Sequence, residues 1–171
     1  MEVRIDSDDP EHAPGEIQIK GANVFLAYFK NEEATAEVLT EDGWFKTGDM
    51  GVLDHEGYLF IKGRTKCMIL GPSGQNIYPE EVETVINSQP YVVDSLVVED
   101  GGGLTALIYP DFQQGAKDGM SQDAFIRHIE GTLAELNTIL PNYARLKKIE
   151  VMSEDFERTP KKSIKRYLYQ R

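Results

Sequence analysis

The densest patch of one charge lies at the end of the chain. The last 14 residues, RTPKKSIKRYLYQR, hold six basic residues and no acidic one. Such a run is ordinarily a solvated helix face; its chemical use would be lysine against a phosphate. The chain as a whole carries a net charge of -11, which argues against general nucleic-acid binding. Asp6, Asp8, Asp9 and Glu11 gather acidic groups near the start, but without the glycine and distal glutamate of an EF-hand loop, so a solvated loop is expected there rather than a calcium site. Asp49 follows a glycine in FKTGDMG and, taken by itself, reads as a turn aspartate. Arg64 in GRTK, taken by itself, reads as a surface arginine. A Walker lysine loop, a GxSxG elbow, HExxH, CxxC and a GxGxxG fingerprint are all absent. The single cysteine, Cys67, rules out an intramolecular disulfide and fits a reducing, cytoplasmic setting. His and Cys are too few for a typical zinc site, so no metal site is expected.

These side chains need a scaffold, and 171 residues suffice for one ordinary domain or two small ones. No apolar run of transmembrane length occurs, and the acidic N-terminus is not a signal peptide. Residues 16–29 alternate apolar and polar and predict two short strands around a turn; residues 31–39 predict a short helix. Residues 44–62 read as a tight hairpin broken by DHEG. This first third predicts small β structure, barrel-like. After Gly63-Arg64 the pattern changes: CMIL reads as a short strand, GPSGQN as a loop, and Pro79 with Glu80, Glu81 and Glu83 as the start of a helix burying Val82, Val85 and Ile86. DSLVV and LTALIY flank Gly101-Gly102-Gly103 as a hairpin. Ser121 is a candidate N-cap for a long helix with Phe125, Ile129, Leu133, Leu136 and Leu140 on one face, ended by Pro141. LKKIEVM reads as a strand, and Thr159-Pro160 as the cap and first residue of a basic C-terminal helix. The fold class expected is α+β: a small β-barrel-like unit, then a small domain with an antiparallel sheet packed by helices.

Three segments in order lift the chain above an anonymous protein. GEIQIKGANVFLAYFKNEEATAEVL, then DGWFKTGDMGVLDHEGYLFIKGRTKCMILGPSGQNIYPEEVE, then TPKKSIKR together resemble the adenylate-forming superfamily of acyl- and aryl-CoA ligases, luciferases and peptide-synthetase adenylation domains. The wording ILGPSGQNIYPEEVE looks most like the long-chain fatty acid–CoA ligases. The resemblance implies a two-step reaction. A carboxylate attacks ATP to give acyl-AMP and pyrophosphate, and the thiol of coenzyme A then displaces AMP. It also implies residues 1–63 as the last β subdomain of a large N-terminal domain, 64–66 as a hinge and 67–171 as a mobile C-terminal domain.

The family's residue roles carry over position by position. Asp49 matches a carboxylate that binds both ribose hydroxyls of ATP or AMP, a role suited to a group with two acceptor oxygens. Arg64 matches a nucleotide-holding arginine, and Lys66 matches the hinge position. Residues 70–77 match the loop that enters the active site for the thiol step. There Gly71 and Gly74 would allow close backbone approach to a pantetheine arm, and Ser73, Gln75 and Asn76 offer polar contacts. In this branch the C-terminal motif usually carries a catalytic lysine that offsets charge during adenylation. Here that position is Ser163, with Lys162 next to it and Lys161 and Lys165 close by. Lys162 is the first candidate for the role, and Lys161 and Lys165 are the others. The family's phosphate loop, its magnesium-binding glutamate and its acyl pocket are not in this sequence. They are expected before Met1, so that Mg2+ would be held elsewhere in a full-length enzyme and the chain alone would be inactive. The alternatives are another acyl or aryl acid ligase, a peptide-synthetase adenylation domain, or a non-catalytic nucleotide- or partner-binding module.

Overall fold

The computed structural model describes residues 1–72 and 74–171, and the chain divides into two compact units, Met1–Met68 and Ile69–Arg171. In the first unit β1 (Glu2–Asp6), β2 (Gly15–Lys20), β3 (Phe45–Leu53) and β4 (Leu59–Arg64) form one antiparallel sheet in that order. The β3–β4 hairpin closes as its sequence predicts: the Asp54 carboxylate accepts the amides of Glu56 and Tyr58 at 3.0 and 2.8 Å, and Gly57 takes a left-handed φ of 86°. Gly51 is demanded by crowding, because a Cβ there would lie 2.8 Å from the Phe60 carbonyl oxygen and 2.9 Å from Ile17 Cδ1. The short helix α1 (Glu32–Val38) is capped by Asn31, whose Oδ1 accepts from the Ala34 amide at 3.0 Å.

Two expectations for this unit are corrected. Among the described residues β1 and β4 are unpaired edges, so the sheet is open rather than a closed barrel. Only β2 forms within residues 16–29; residues 21–29 run as turns. The alternation there does not serve a sheet, because Leu26 is 94% exposed and Phe25 instead stacks on Tyr28 and Phe45. The strand β1 was hidden in the acidic N-terminus, where Val3 and Ile5 alternate with Glu2, Arg4 and Asp6.

The second unit opens with a two-stranded hairpin, β5 (Ile69–Leu70) and β6 (Asn76–Ile77), followed by α2 (Pro79–Asn87) with Pro79 in its first turn. A three-stranded sheet follows in the order β7 (Val92–Asp100), β8 (Gly103–Pro110), β9 (Leu146–Val151). The β7–β8 pair is antiparallel, as a short glycine turn requires. β9 instead runs parallel to β8, because the chain returns through α3 (Phe112–Lys117), α4 (Gln122–Gly131) and α5 (Leu133–Ile139) and re-enters in the same direction. The expected long helix is thus broken at Thr132, just after Gly131. Its apolar face survives the break: Phe125, Ile129, Leu136 and Leu140 are buried with Val82, Ile86, Ala106 and Ile108 in the main core. Full burial of a side chain such as Phe125 contributes about 1.5–3 kcal/mol.

The other face of this sheet is covered by the C-terminal segment. Phe156 is buried against Leu96, Val98 and Leu107, with Ile164 and Tyr169 packed around them. The expected basic helix is absent from this segment. Residues 158–164 form a tight hairpin, and only a short 3-10 turn, Arg166–Leu168, follows. Thr159 and Pro160 are turn residues. Proline's fixed φ suits the first turn of a helix and the second position of a β-turn equally well, so the sequence signal was degenerate.

Candidate functional site

The TGD of FKTGDMG owes its geometry to a bulge. β2 and β3 pair at Glu16–Met50 and at Gln18–Lys46, so Thr47, Gly48 and Asp49 together oppose Ile17 alone. Bulges of this kind re-aim a side chain. The bulge is held by three bonds: Thr47 Oγ1 donates to the Ile17 carbonyl at 2.8 Å, the Gly48 amide to Glu16 Oε1 at 3.0 Å, and the Asp49 amide to Thr47 Oγ1 at 3.1 Å. Gly48 sits at φ 74°, a backbone shape that favours glycine. Asp49 is the register partner of Arg64 on β4, and Asp49 Oδ1 lies 2.8 Å from Arg64 Nη1. A partly exposed carboxylate thus sits beside an exposed guanidinium at the end of the hairpin. Lys66 follows in a one-turn 3-10 helix, Thr65–Cys67, two residues before the first unit ends at Met68.

In the second unit, Gly71, Gly74, Gln75 and Asn76 lie on the β5–β6 hairpin, and Ser73 lies outside the described residues. The Gly71 amide donates to the Gln75 carbonyl at 2.8 Å and the Gly74 amide to the Gly71 carbonyl at 2.9 Å. Gly74 has φ 79°, with open space where a Cβ would stand; Gly71 is buried, and a Cβ there would lie 3.1 Å from Ile77 Cδ1. A groove of about 550 Å3 opens beside this hairpin, lined by Leu70, Pro72, Gly103, Tyr143 and Arg145 among others.

The lysine segment is a hairpin with a three-residue loop, Pro160-Lys161-Lys162: the Lys162 amide donates to the Thr159 carbonyl and the Thr159 amide to the Ser163 carbonyl, both at 2.8 Å. The third loop position of such a hairpin calls for a left-handed residue, and Lys162 takes it with φ 66°. Lys161, Lys162 and Ser163 are exposed. Lys165 is drawn away from the tip, with its Nζ 3.0 Å from Glu157 Oε2. That hydrogen bond raises the Lys165 pKa.

Sequence reasoning missed the groups that tie this hairpin down. Arg158 reaches Asp94 on β7 at 2.7 Å and Asp155 at 3.0 Å. Arg166 binds Glu83 on α2 and lies 3.7 Å from Glu80. Glu83 is only 7% exposed, and its other oxygen accepts the Val97 amide at 2.7 Å. Burial pushes the Glu83 carboxyl up, and the Arg166 guanidinium pulls it part of the way back. The signal was available: Glu83 stands between Val82 and Ile86 on the apolar side of α2, where an acid needs a cation. Among the described residues no group of three or more His, Cys, Asp or Glu side chains is placed to hold a metal ion.

Residues 68–171 match the family model described as the AMP-binding enzyme C-terminal domain. The chain belongs to the AMP-binding enzyme family. Over 172 aligned residues, 89% of this chain, it is 32% identical to the long-chain-fatty-acid–CoA ligase FadD15 of Mycobacterium tuberculosis, of which it spans 28%. Over 100 residues, 56% of this chain, it is 46% identical to the indoleacetate–CoA ligase of Aromatoleum aromaticum, spanning 19% of that protein. Among solved structures, Bacillus subtilis O-succinylbenzoate coenzyme A synthetase in complex with ATP and magnesium ion superposes with a TM-score of 0.78 at 31% identity, over 97% of this chain and 33% of that one. As a member of the AMP-binding enzymes, the chain thus spans less than a third of the curated relatives compared.

Proposed function

We propose that this chain is the C-terminal part of an ATP-dependent, AMP-forming acid–CoA ligase acting on long-chain fatty acids. Asp49 paired with Arg64 beside the bulge carries the reading. The carboxylate offers two acceptors to the vicinal ribose hydroxyls of ATP, and the guanidinium supplies positive charge beside it. Lys66, in the short turn before the break between the units, is the hinge about which the second unit changes position between the half-reactions. The β5–β6 hairpin and its adjoining groove serve the thiol step, with Gly74, open on its Cβ side, admitting the slender arm of coenzyme A, Gly71 letting the turn close against Ile77, and Ser73, Gln75 and Asn76 offering polar contacts. Lys162 at the tip of the C-terminal hairpin supplies the charge that meets the carboxylate and the α-phosphate during adenylation, with Lys161 and Lys165 as the other candidates. Mg2+ and the acyl chain are held by the N-terminal domain of the full-length enzyme, and the reaction runs in the cytoplasm.

The match to FadD15 across 89% of the chain supports the fatty-acid reading. The higher identity to an indoleacetate–CoA ligase over a shorter span favours, as a second reading, an aryl acid substrate. Assaying the full-length enzyme with ATP and CoA against fatty acids of graded length and against indoleacetate and 2-succinylbenzoate separates them. Selective AMP release with long fatty acids supports the first reading, and selective release with an aryl acid establishes the second. ATP binding with no AMP release from any acid would favour a non-catalytic module.

A further inference from the structure

The lysine-bearing hairpin has a covered base and an exposed tip. Its base is fixed by three kinds of contact. Ile164 packs on the sheet face with Leu96, Val98, Leu107 and Phe156. Arg158 binds Asp94 of β7 at 2.7 Å and also donates to the Lys162 carbonyl at 3.3 Å. Arg166, at the other end, binds the buried Glu83. Glu83 joins three elements, because its remaining oxygen takes the Val97 amide on β7, an outer strand of the sheet. A charge in this position restrains direction as well as distance: guanidinium and carboxylate meet through oriented hydrogen bonds.

We propose that Glu83, acting through Arg166, is a positioning residue that holds the Lys161–Lys162 tip for adenylation, with Asp94 and Arg158 as the matching anchor on the other side. This rests on the reading of the tip as the adenylation lysine. A structural purpose alone accounts poorly for Glu83. Its burial is unfavourable to the charged form, and a buried ion pair replaced as a whole by well-packed apolar residues often leaves stability unchanged. What the pair adds is a fixed path for residues 158–166, whose own hairpin has few internal bonds.

Glu83→Gln is the informative variant, since the amide oxygen still accepts from Val97 while Arg166 loses its nearer carboxylate, Glu80 staying 3.7 Å away. Two measurements are paired. Amide hydrogen exchange on the 171-residue chain reads the Thr159 and Lys165 amides, which close the hairpin onto Ser163 and Glu157. Acyl-AMP formation and thioester formation from supplied acyl-AMP are read separately in the full-length ligase. The expected result is at least tenfold faster exchange at Thr159 and Lys165, over and above the general rise that any lowering of the melting temperature brings to the other amides of the second unit. Adenylation kcat should fall by tenfold or more with KM for ATP within twofold, and thioester formation should be unaffected. Arg166→Lys should recover part of the adenylation that Arg166→Ala loses. Unchanged exchange, or faster exchange with normal adenylation, overturns the proposal. If Lys161→Ala, Lys162→Ala and Lys165→Ala all adenylate normally, the functional reading of the tip fails and the positioning role falls with it, whereas the exchange data still report whether Glu83 holds the hairpin.

Discussion

Asp49 and Arg64 are direct register partners across β3 and β4, with Oδ1 and Nη1 2.8 Å apart. The pair joins the two motifs GDMG and GRTK, separate in sequence, into one charged site at the end of a hairpin. For a carboxylate that accepts two ribose hydroxyls, removal to Ala in the full-length ligase should cost about 2–4 kcal/mol of transition-state stabilisation. That is about thirtyfold to a thousandfold in kcat/KM for ATP. Steady-state kinetics check it, and an unchanged kcat/KM would sink the ribose assignment.

Gly48→Ala tests whether the bulge aims Asp49. The residue holds φ 74°, and a Cβ there would meet nothing nearer than Arg64 Nη2 at 3.6 Å, so the strain is conformational rather than steric. Forcing an alanine into that region costs about 1–2 kcal/mol. The variant should fold with a modestly lower unfolding free energy and lose ATP affinity out of proportion to that loss. Equilibrium denaturation with nucleotide-binding titrations gives both numbers; full affinity would show that the bulge does not set the site.

Lys162 offers a separation of stability from chemistry. Its φ of 66° is unfavourable for lysine and ordinary for glycine. Lys162→Gly should therefore stabilise the second unit by about 0.5–1 kcal/mol, the strain relieved less the entropy glycine adds to the unfolded chain. It should at the same time lower acyl-AMP formation by orders of magnitude. Lys162→Ala should lose the same activity without the stability gain. Normal adenylation in both variants would move the role to Lys161 or Lys165.

The pH dependence of stability follows from Glu150. Hydrogen bonds from Arg171 first and Lys148 second lower its carboxyl from the ordinary 4.5 to about 2. A depressed folded-state value means a stabilising contribution that is present above pH 4.5 and lost as pH falls toward 2. Glu150→Gln should be less stable than the parent at neutral pH, with the difference closing across that window. Urea melts at a series of pH values measure it, and a pH-independent difference would count against the ion-pair account.

Much of the fold was legible because several signals had one physical meaning. Pro79 followed by glutamates, Ser121 as an N-cap, and Asp54 with Gly57 each specify a local structure, and each forms, although the helix that Ser121 starts ends at Gly131. Thr159-Pro160 was misread because a helix start and a turn ask the same of proline. The parallel pairing of β9 depends on where the chain returns after α5, which local pattern does not encode. At the site, the resemblance singled out Asp49 and Arg64 separately but not their pairing across β3 and β4, and Arg166 on Glu83 lay hidden because the two are 83 residues apart. A glutamate inside a buried helix stripe was the one local clue.

The central claim, carboxylate activation through an acyl-adenylate, is tested most directly by isotope transfer. The full-length enzyme is given a long-chain fatty acid whose carboxylate carries heavy oxygen, with ATP and CoA, and the released nucleotide is weighed. If the carboxylate attacks the α-phosphorus and the thiol then displaces AMP, one labelled oxygen leaves in AMP and the other stays in the thioester. Label found in pyrophosphate or inorganic phosphate, or ADP in place of AMP, would contradict the account.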